Sequence, residues 1–509
     1  MGKFIILGAL VAIAEGQQAS TGLDPSGSLD FFWGADAQGG APYVFPDPTN
    51  PNRLTGFEVE LASLLAARMG RSPKVVLAPW DQLLQLLQRG DFDFAINGIE
   101  VADEKRRVVA LSRPYMRVPE TLTVRRGDPR APRSLLALQG RKVGTLPGST
   151  AERILDGVGA AVRTYEGGQG DLYEDLKLRR LDAVLLDEPV ARYFGALERD
   201  LELVPGDFGV VEYAVAVRLT EPARLAQVND SLTALIRDGQ LRELYERWGV
   251  WNLETAALFG DPDPAARHEA TALAQWQAAV GNLPSFSQRV LTRYPQALPL
   301  LLQGALVTLE TSLTAMALAV AFGLCLTIGR RLGPAPIRVS ATLVIELLRG
   351  TPLLIQLTMV YFGLPEIGLK LDPFAAGVVA LGLNYGAAEA ENYRAGLESV
   401  PKGQLEAAAV LGLSRWQTLK DVLAPQAMRV AIPPMTNDFI ALLKDSSLVS
   451  VVTLTELTKT YGNLANAMRD HLGLGLVVAL LYLALGLPFA WWARRAEKHL
   501  GRHLRREVT

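Results

Sequence analysis

Soft metal ligands are scarce in this chain of 509 residues, which has one cysteine, Cys325, and four histidines. A single cysteine excludes both a disulfide framework and a cysteine zinc site. His268, His471, His499 and His503 are scattered through linker, loop and tail stretches and read as solvated side chains, so no metal is expected. Excess charge of either sign is also missing: the formal net charge is -2, which argues against a nucleic-acid partner. No G-x-x-x-x-G-K-[ST] run occurs. The stretch Gln139-Gly140-Arg141-Lys142 sets a glycine beside basic residues but lacks the glycine spacing and hydroxyl of a phosphate loop.

What is present is divided unevenly. Charges are interspersed up to about residue 296, and long stretches nearly free of charge come after it. A mean hydropathy of +0.16 is therefore the average of a soluble part and a membrane part. The expected organisation is a signal peptide or N-terminal anchor at 1–24, an extracytoplasmic soluble domain at 25–255, and a linker at 256–296. A membrane domain at 297–495 and a basic cytoplasmic tail at 496–509 complete the chain. At the N-terminus Lys3 precedes a short apolar stretch, 4–14, ending in Ala12-Ile13-Ala14, which resembles a cleavage site. Cleaved or retained, it delivers the soluble part outside the membrane.

In the soluble part, strand-like runs such as Lys74-Val75-Val76-Leu77 and Ala183-Val184-Leu185-Leu186 alternate with amphipathic helical runs. That pattern predicts an α/β fold with largely parallel sheets. One charged helix is predicted over 232–248. The breaker-rich Gly260-Asp261-Pro262-Asp263-Pro264 marks the end of the domain, with a spacer after it. Five apolar segments, 298–328, 341–362, 374–395, 430–452 and 474–492, then read as membrane spans. Basic residues cluster after the first (Arg330, Arg331, Arg338), between the third and fourth (Lys402, Arg415, Lys420, Arg429) and after the fifth (Arg494, Arg495, Lys498). Placing these clusters in the cytoplasm puts the soluble part outside.

Particular residues carry two resemblances. Gly56-Phe57-Glu58-Val59-Glu60-Leu61, Trp80, Gly90-Asp91-Phe92-Asp93, Ser112-Arg113-Pro114-Tyr115 and Leu181-Asp182-Ala183-Val184-Leu185-Leu186-Asp187 resemble the two-lobed periplasmic amino-acid-binding proteins. The resemblance implies two lobes, the second at about 124–211, joined by crossings near 119–124 and 211–217. By position it implies that Asp187 holds the α-ammonium of the ligand, or otherwise caps a turn. Ser149 and Thr150 open a helix, where they either meet a carboxylate or act as plain caps. Gly98 falls where backbone meets ligand, or is a bare turn glycine.

Departures from that family are informative. Its carboxylate-binding arginine falls on Lys105, which lacks a bidentate fork, so either the adjacent Arg106 substitutes after a one-residue shift or the contact is weaker. Its threonine falls on Glu100, which either pairs with Lys105 or selects a cationic side chain. Gly39-Gly40-Ala41 replaces the usual aromatic platform, leaving Trp80 to stack on the ligand or to sit in the core.

The second resemblance covers the membrane part. Glu406-Ala407-Ala408, Gly412 and Val422-Leu423-Ala424-Pro425, with Arg349-Gly350-Thr351-Pro352 and Ser399-Val400-Pro401-Lys402 nearby, resemble the permeases of polar-amino-acid ABC importers. A helix, a glycine break at Gly412 and a second helix stopped at Pro425 are expected to dock on an ATPase. The resemblance implies an importer subunit that binds no cofactor itself and relies on a separate ATP-binding subunit in the bacterial inner membrane. It further implies an amino-acid ligand and a permease homodimer, with a heterodimer as the alternative. A ligand-gated channel or receptor on the two-lobed fold is the rival, but its pore segments would interrupt the binding domain.

Overall fold

The computed structural model describes residues 30–38, 40–165, 169–261, 263–281 and 285–501. The targeting segment, Gly39, Pro262 and the end of the basic tail lie outside them. The chain divides into two compact units. Among the described residues, one holds those from Asp30 to Leu298 together with Gly462–Leu474, and the other holds Pro299–Tyr461 and the residues from Gly475 on.

The first unit is an α/β structure with two main sheets and a small two-stranded one, Phe45–Asp47 with Asn50–Thr55. Its five-stranded sheet runs Ser72–Leu77, Asp30–Ala35, Phe94–Ala95, Ala216–Val217, Ala110–Leu111. The first three strands are parallel, and Ala216–Val217 returns antiparallel between its neighbours. The second sheet is built on the ten-residue strand Met116–Arg125. Ala183–Asp187 and Leu201–Val204 flank the later part of that strand, and Val210–Tyr213 pairs with its start. Met116–Arg125 spans the stretch expected for the first crossing, and Val210–Tyr213 overlaps the start of the second.

Residues at period two along Met116–Arg125 (Met116, Val118, Glu120, Leu122, Val124) are buried, so this strand is covered on the face where Glu120 sits. Helix Phe57–Arg68 packs Phe57, Leu61 and Leu65 into the core of the first lobe. Its N-cap is Gly56 at φ 131, where a Cβ would stand 1.8 Å from the carbonyl oxygen of Tyr43, so only glycine lets the loop close.

Two expectations change here. The charged helix predicted over 232–248 is two helices, Pro222–Arg237 and Gln240–Arg247, parted by Gly239 in the left-handed region at φ 74. The segment after the domain is not an idle spacer, because helix Thr271–Val280 packs back on the same unit. Trp276 is 6% exposed, with its ring 4.8 Å from Tyr193 and 6.0 Å from Phe194. Arg242 also draws the adjoining loop in, bonding Glu246 at 2.7 Å and the carbonyl of Ala265 at 2.7 Å.

The second unit is helical. Tyr294–Leu332 has 39 residues and His471–Gly501 has 31, and both contain windows apolar enough to cross a bilayer. Their outward stripes are leucine at helical spacing, as at Leu476, Leu480, Leu483 and Leu487. The inward stripe of the first is small and hydroxylic, with Ala305, Thr308, Ser312, Ala315 and Ala319 buried. The second expected span is broken: Ala335–Gly350 and Leu353–Ile367 bend by 108° where Pro352 follows Thr351. Pro373–Glu398 and Ala424–Asp445 pack together as the third and fourth helices, joined by Asn392 to Asp438 at 2.8 Å. Tyr385 reaches Asp445 at 2.8 Å, and Arg330 reaches Glu391 at 2.5 Å. Among the described residues, two helices qualify as spans by length and apolarity, or three with the bent pair, against the five expected.

Candidate functional site

A cavity of about 90 Å³ opens between the two lobes, at the ends of the strands that cross from one to the other. Its floor is set by strand pairing. Asp187 ends Ala183–Asp187 and lies directly opposite Glu120 on Met116–Arg125, so the two carboxylates share one face. Asp187 divides its oxygens between two tasks. Oδ1 accepts the Val190 N–H at 3.2 Å, capping the next turn, while Oδ2 accepts the Tyr43 hydroxyl at 2.5 Å and that of Tyr213. Burial pushes its carboxyl above the ordinary range, against the lowering effect of the tyrosine bonds. Asp187 therefore both caps the turn and lines the cavity.

Glu120 is 3% exposed and lines the cavity, and its Oε2 has no hydrogen-bond partner among the described residues. Burial, then the nearby charges of Asp187 and Glu100, push it well above the usual range. Behind the cavity Glu58 is fully buried. It accepts the Gly98 N–H at 2.7 Å, the Tyr115 hydroxyl, and Asn97 Nδ2 at 3.3 Å. Desolvation raises it to about 7 despite these bonds.

Glu100 takes the opposite wall. Its carboxylate accepts the Thr150 N–H at 2.9 Å and the Thr150 hydroxyl at 3.0 Å, at the N-terminus of helix Thr150–Gly157. Arg153 stands 3.5 Å and Lys105 3.6 Å from the same oxygen. Ser149 is the helix N-cap, accepting the Glu152 N–H at 3.2 Å and donating to the Leu146 carbonyl at 2.7 Å. Trp80 lines the cavity, donates its indole N–H to the Asn97 carbonyl at 2.8 Å and carries Lys105 5.0 Å over its ring. Burial lowers the Lys105 ammonium below its ordinary range.

The structure thus gathers Asp187, Gly98, Glu100, Ser149 and Trp80 around one cavity, with Thr150 bonded to Glu100. Lys105 is not on the lining but stands over the Trp80 ring and 3.6 Å from Glu100. Arg106 is not brought there: it is exposed on the short helix Asp103–Arg106, because a one-residue shift along a helix turns the side chain by about 100°. The N–H of Gly98 faces Glu58 rather than the cavity. Tyr43, Tyr213, Glu58 and Glu120 were missed by sequence. Their one signal was position beside landmarks, Glu58 within Gly56-Phe57-Glu58 and Tyr43 after Pro42. At the Gly39-Gly40-Ala41 substitution, a Cβ on Gly40 would stand 3.1 Å from the Phe194 ring.

In the helical unit, Glu406, Ala407 and Ala408 lie on helix Lys402–Val410, the first two exposed and Ala408 buried. Gly412 ends the turn at φ 70. Contrary to expectation the chain does not stop at Pro425. A π-turn over Thr418–Leu423 leads into Ala424–Asp445, with Pro425 in its first turn, where a missing N–H costs little. Around the turn Val410, Leu411 and Trp416 are 88%, 77% and 69% exposed.

Residues 34–250 match the bacterial extracellular solute-binding proteins, family 3. Residues 319–502 match the binding-protein-dependent transport system inner membrane component. The chain is 37% identical over 206 residues to the glutamine transport system permease protein of Escherichia coli K12, covering 40% of this chain and 94% of that protein. The chain belongs to this family of transport permeases. A second relative of the permease is the L-cystine transport system permease protein of Bacillus subtilis, 38% identical over 38% of this chain and 80% of that one. Among solved structures, holo ArgBP from T. maritima is 30% identical over 43% of the permease and 95% of that chain, with a TM-score of 0.38. The permease is a multi-pass protein of the bacterial inner membrane with a two-lobed binding domain fused to it.

Proposed function

We propose that this permease is the combined capture and translocation subunit of an ABC-type importer for an amino acid whose side chain is positively charged. The carrying observation is the cavity lining, which places Asp187, Glu120 and Glu100 around one small space, with two tyrosine hydroxyls on Asp187. A cation entering there replaces lost hydration with carboxylate oxygens, the environment an ammonium or guanidinium needs. The relatives named for glutamine and cystine transport support amino-acid-type cargo.

In this reading the binding domain lies outside the membrane, and its tether keeps it at high effective concentration beside the helices. ATP is hydrolysed by a separate subunit seated on the turn after Glu406, Ala407 and Ala408. Exposed Val410, Leu411 and Trp416 support that seating, since a partner surface would remove them from water. A second copy of the chain completes the pathway, with a different permease as the alternative. The test is titration of the detergent-solubilised full chain with the common amino acids. Binding confined to arginine and lysine is the expected result. Binding confined to neutral or acidic amino acids would refute the assignment.

A further inference from the structure

Two kinds of group meet in the cavity, and only one is free to take a ligand. Anion receptors exist at the N-terminus of Thr150–Gly157, but Glu100 occupies them. Its carboxylate takes the Thr150 N–H and hydroxyl and stands within ion-pair distance of Arg153 and Lys105. Among the described residues lining the cavity there is no lysine or arginine. The remaining hydroxyl donors are also engaged within the chain: Tyr43 and Tyr213 on Asp187, Tyr165 on Asp175, and Ser149 on the Leu146 carbonyl. Gln169 contributes an amide and no charge. A carboxylate arriving here must displace Glu100 or lie beside it, and like charges at close range in a shielded cavity repel strongly.

Cation receptors, by contrast, stand open. Glu120 is buried among the lining with Oε2 unpartnered among the described residues, and it sits opposite Asp187 in the strand register. A buried carboxylate oxygen without a donor is costly, and an incoming N–H relieves that cost. Glu120 and Asp187 can thus grip one positive group jointly.

We infer, resting on the importer reading above, that the preferred ligand is a linear cationic amine lacking a carboxylate, because Glu100 already stands where a ligand carboxylate would be held. The corresponding basic amino acid binds as the weaker form of the same chemistry. Glu100 is then a specificity-determining residue.

The test titrates the detergent-solubilised full chain with two pairs, agmatine against arginine and cadaverine against lysine. Agmatine is expected to bind at least about tenfold tighter than arginine, and cadaverine tighter than lysine. In Glu100→Thr, which vacates the anion receptors, the preference should shrink or invert; Glu100→Gln gives the same comparison with a smaller change in shape. Tighter binding of the amino acids by the wild-type chain would overturn the inference and leave the cationic-importer reading intact. An unchanged preference in both variants would overturn the role of Glu100. Failure of all four compounds to bind a folded chain would overturn the cationic-cargo reading of the cavity, and the inference with it.

Discussion

Replacing Glu58 with glutamine should flatten the pH dependence of the binding domain's stability. Glu58 is sealed beneath Gly98, Tyr115 and Asn97, and burial holds its carboxyl at about 7 in the folded chain against 4.5 when unfolded. Because the folded value is the higher one, the folded state binds the extra proton between those limits. Stability is therefore fully present below pH 4.5 and is lost as pH rises through about 7. The gap is roughly 2.5 pH units at about 1.36 kcal/mol each, or about 3 kcal/mol. Hydrogen exchange of the full chain, read on the amides of helix Phe57–Arg68 and corrected for intrinsic rates, measures it. Asp187 and Glu120 are also raised and contribute slope of the same sign, so the quantity of interest is wild type minus Glu58→Gln. A fixed cost of facing an amide to Asn97 leaves that slope untouched. Equal losses in both proteins between pH 4 and pH 8 would refute the reasoning.

Removing the carboxylate in Asp187→Ala leaves two buried tyrosine hydroxyls without their acceptor and removes the main cation anchor. Affinity for the bound cation should fall on the order of a hundredfold, seen by calorimetry, and retained affinity would move the anchor elsewhere. Trp416→Asp, on an exposed face, should leave ligand binding unchanged while abolishing stimulation of the ATP-binding subunit; undiminished stimulation would place docking elsewhere. Gly386→Leu should prevent stable assembly of the helical unit, because a Cβ there already meets Phe322 at 2.7 Å. A normally folded variant, by size-exclusion profile and helicity, would contradict that packing.

How much the sequence disclosed depends on how local each signal is. The strand ending at Asp187 and the helix opening at Ser149 are written in adjacent residues, and both stand where expected. The apolar runs overlap helices of the second unit, but two or three of these, not five, qualify as spans among the described residues. The break at Thr351–Pro352 went unread because a hydropathy window averages across a bend. Glu120 was illegible for a different reason: it looks like any polar residue in a strand until register sets it opposite Asp187. Arg106 was a plausible stand-in for Lys105 in one dimension only, since a neighbouring position on a helix points elsewhere.

The seat of Trp276 bears on where this protein is best cut. Helix Thr271–Val280 comes after the end of lobe one, where Leu273 crowds Gly249, yet it lodges its tryptophan on Tyr193 and Phe194 of lobe two. It thus adds a contact between the two parts beside the strands that cross between them and the bond from Tyr193 to the Trp248 carbonyl. A fragment ending at residue 255 would shed that contact and sample open and closed lobes in different proportion from one ending after Val280. Affinities measured on the two fragments would then differ although every residue lining the cavity is the same.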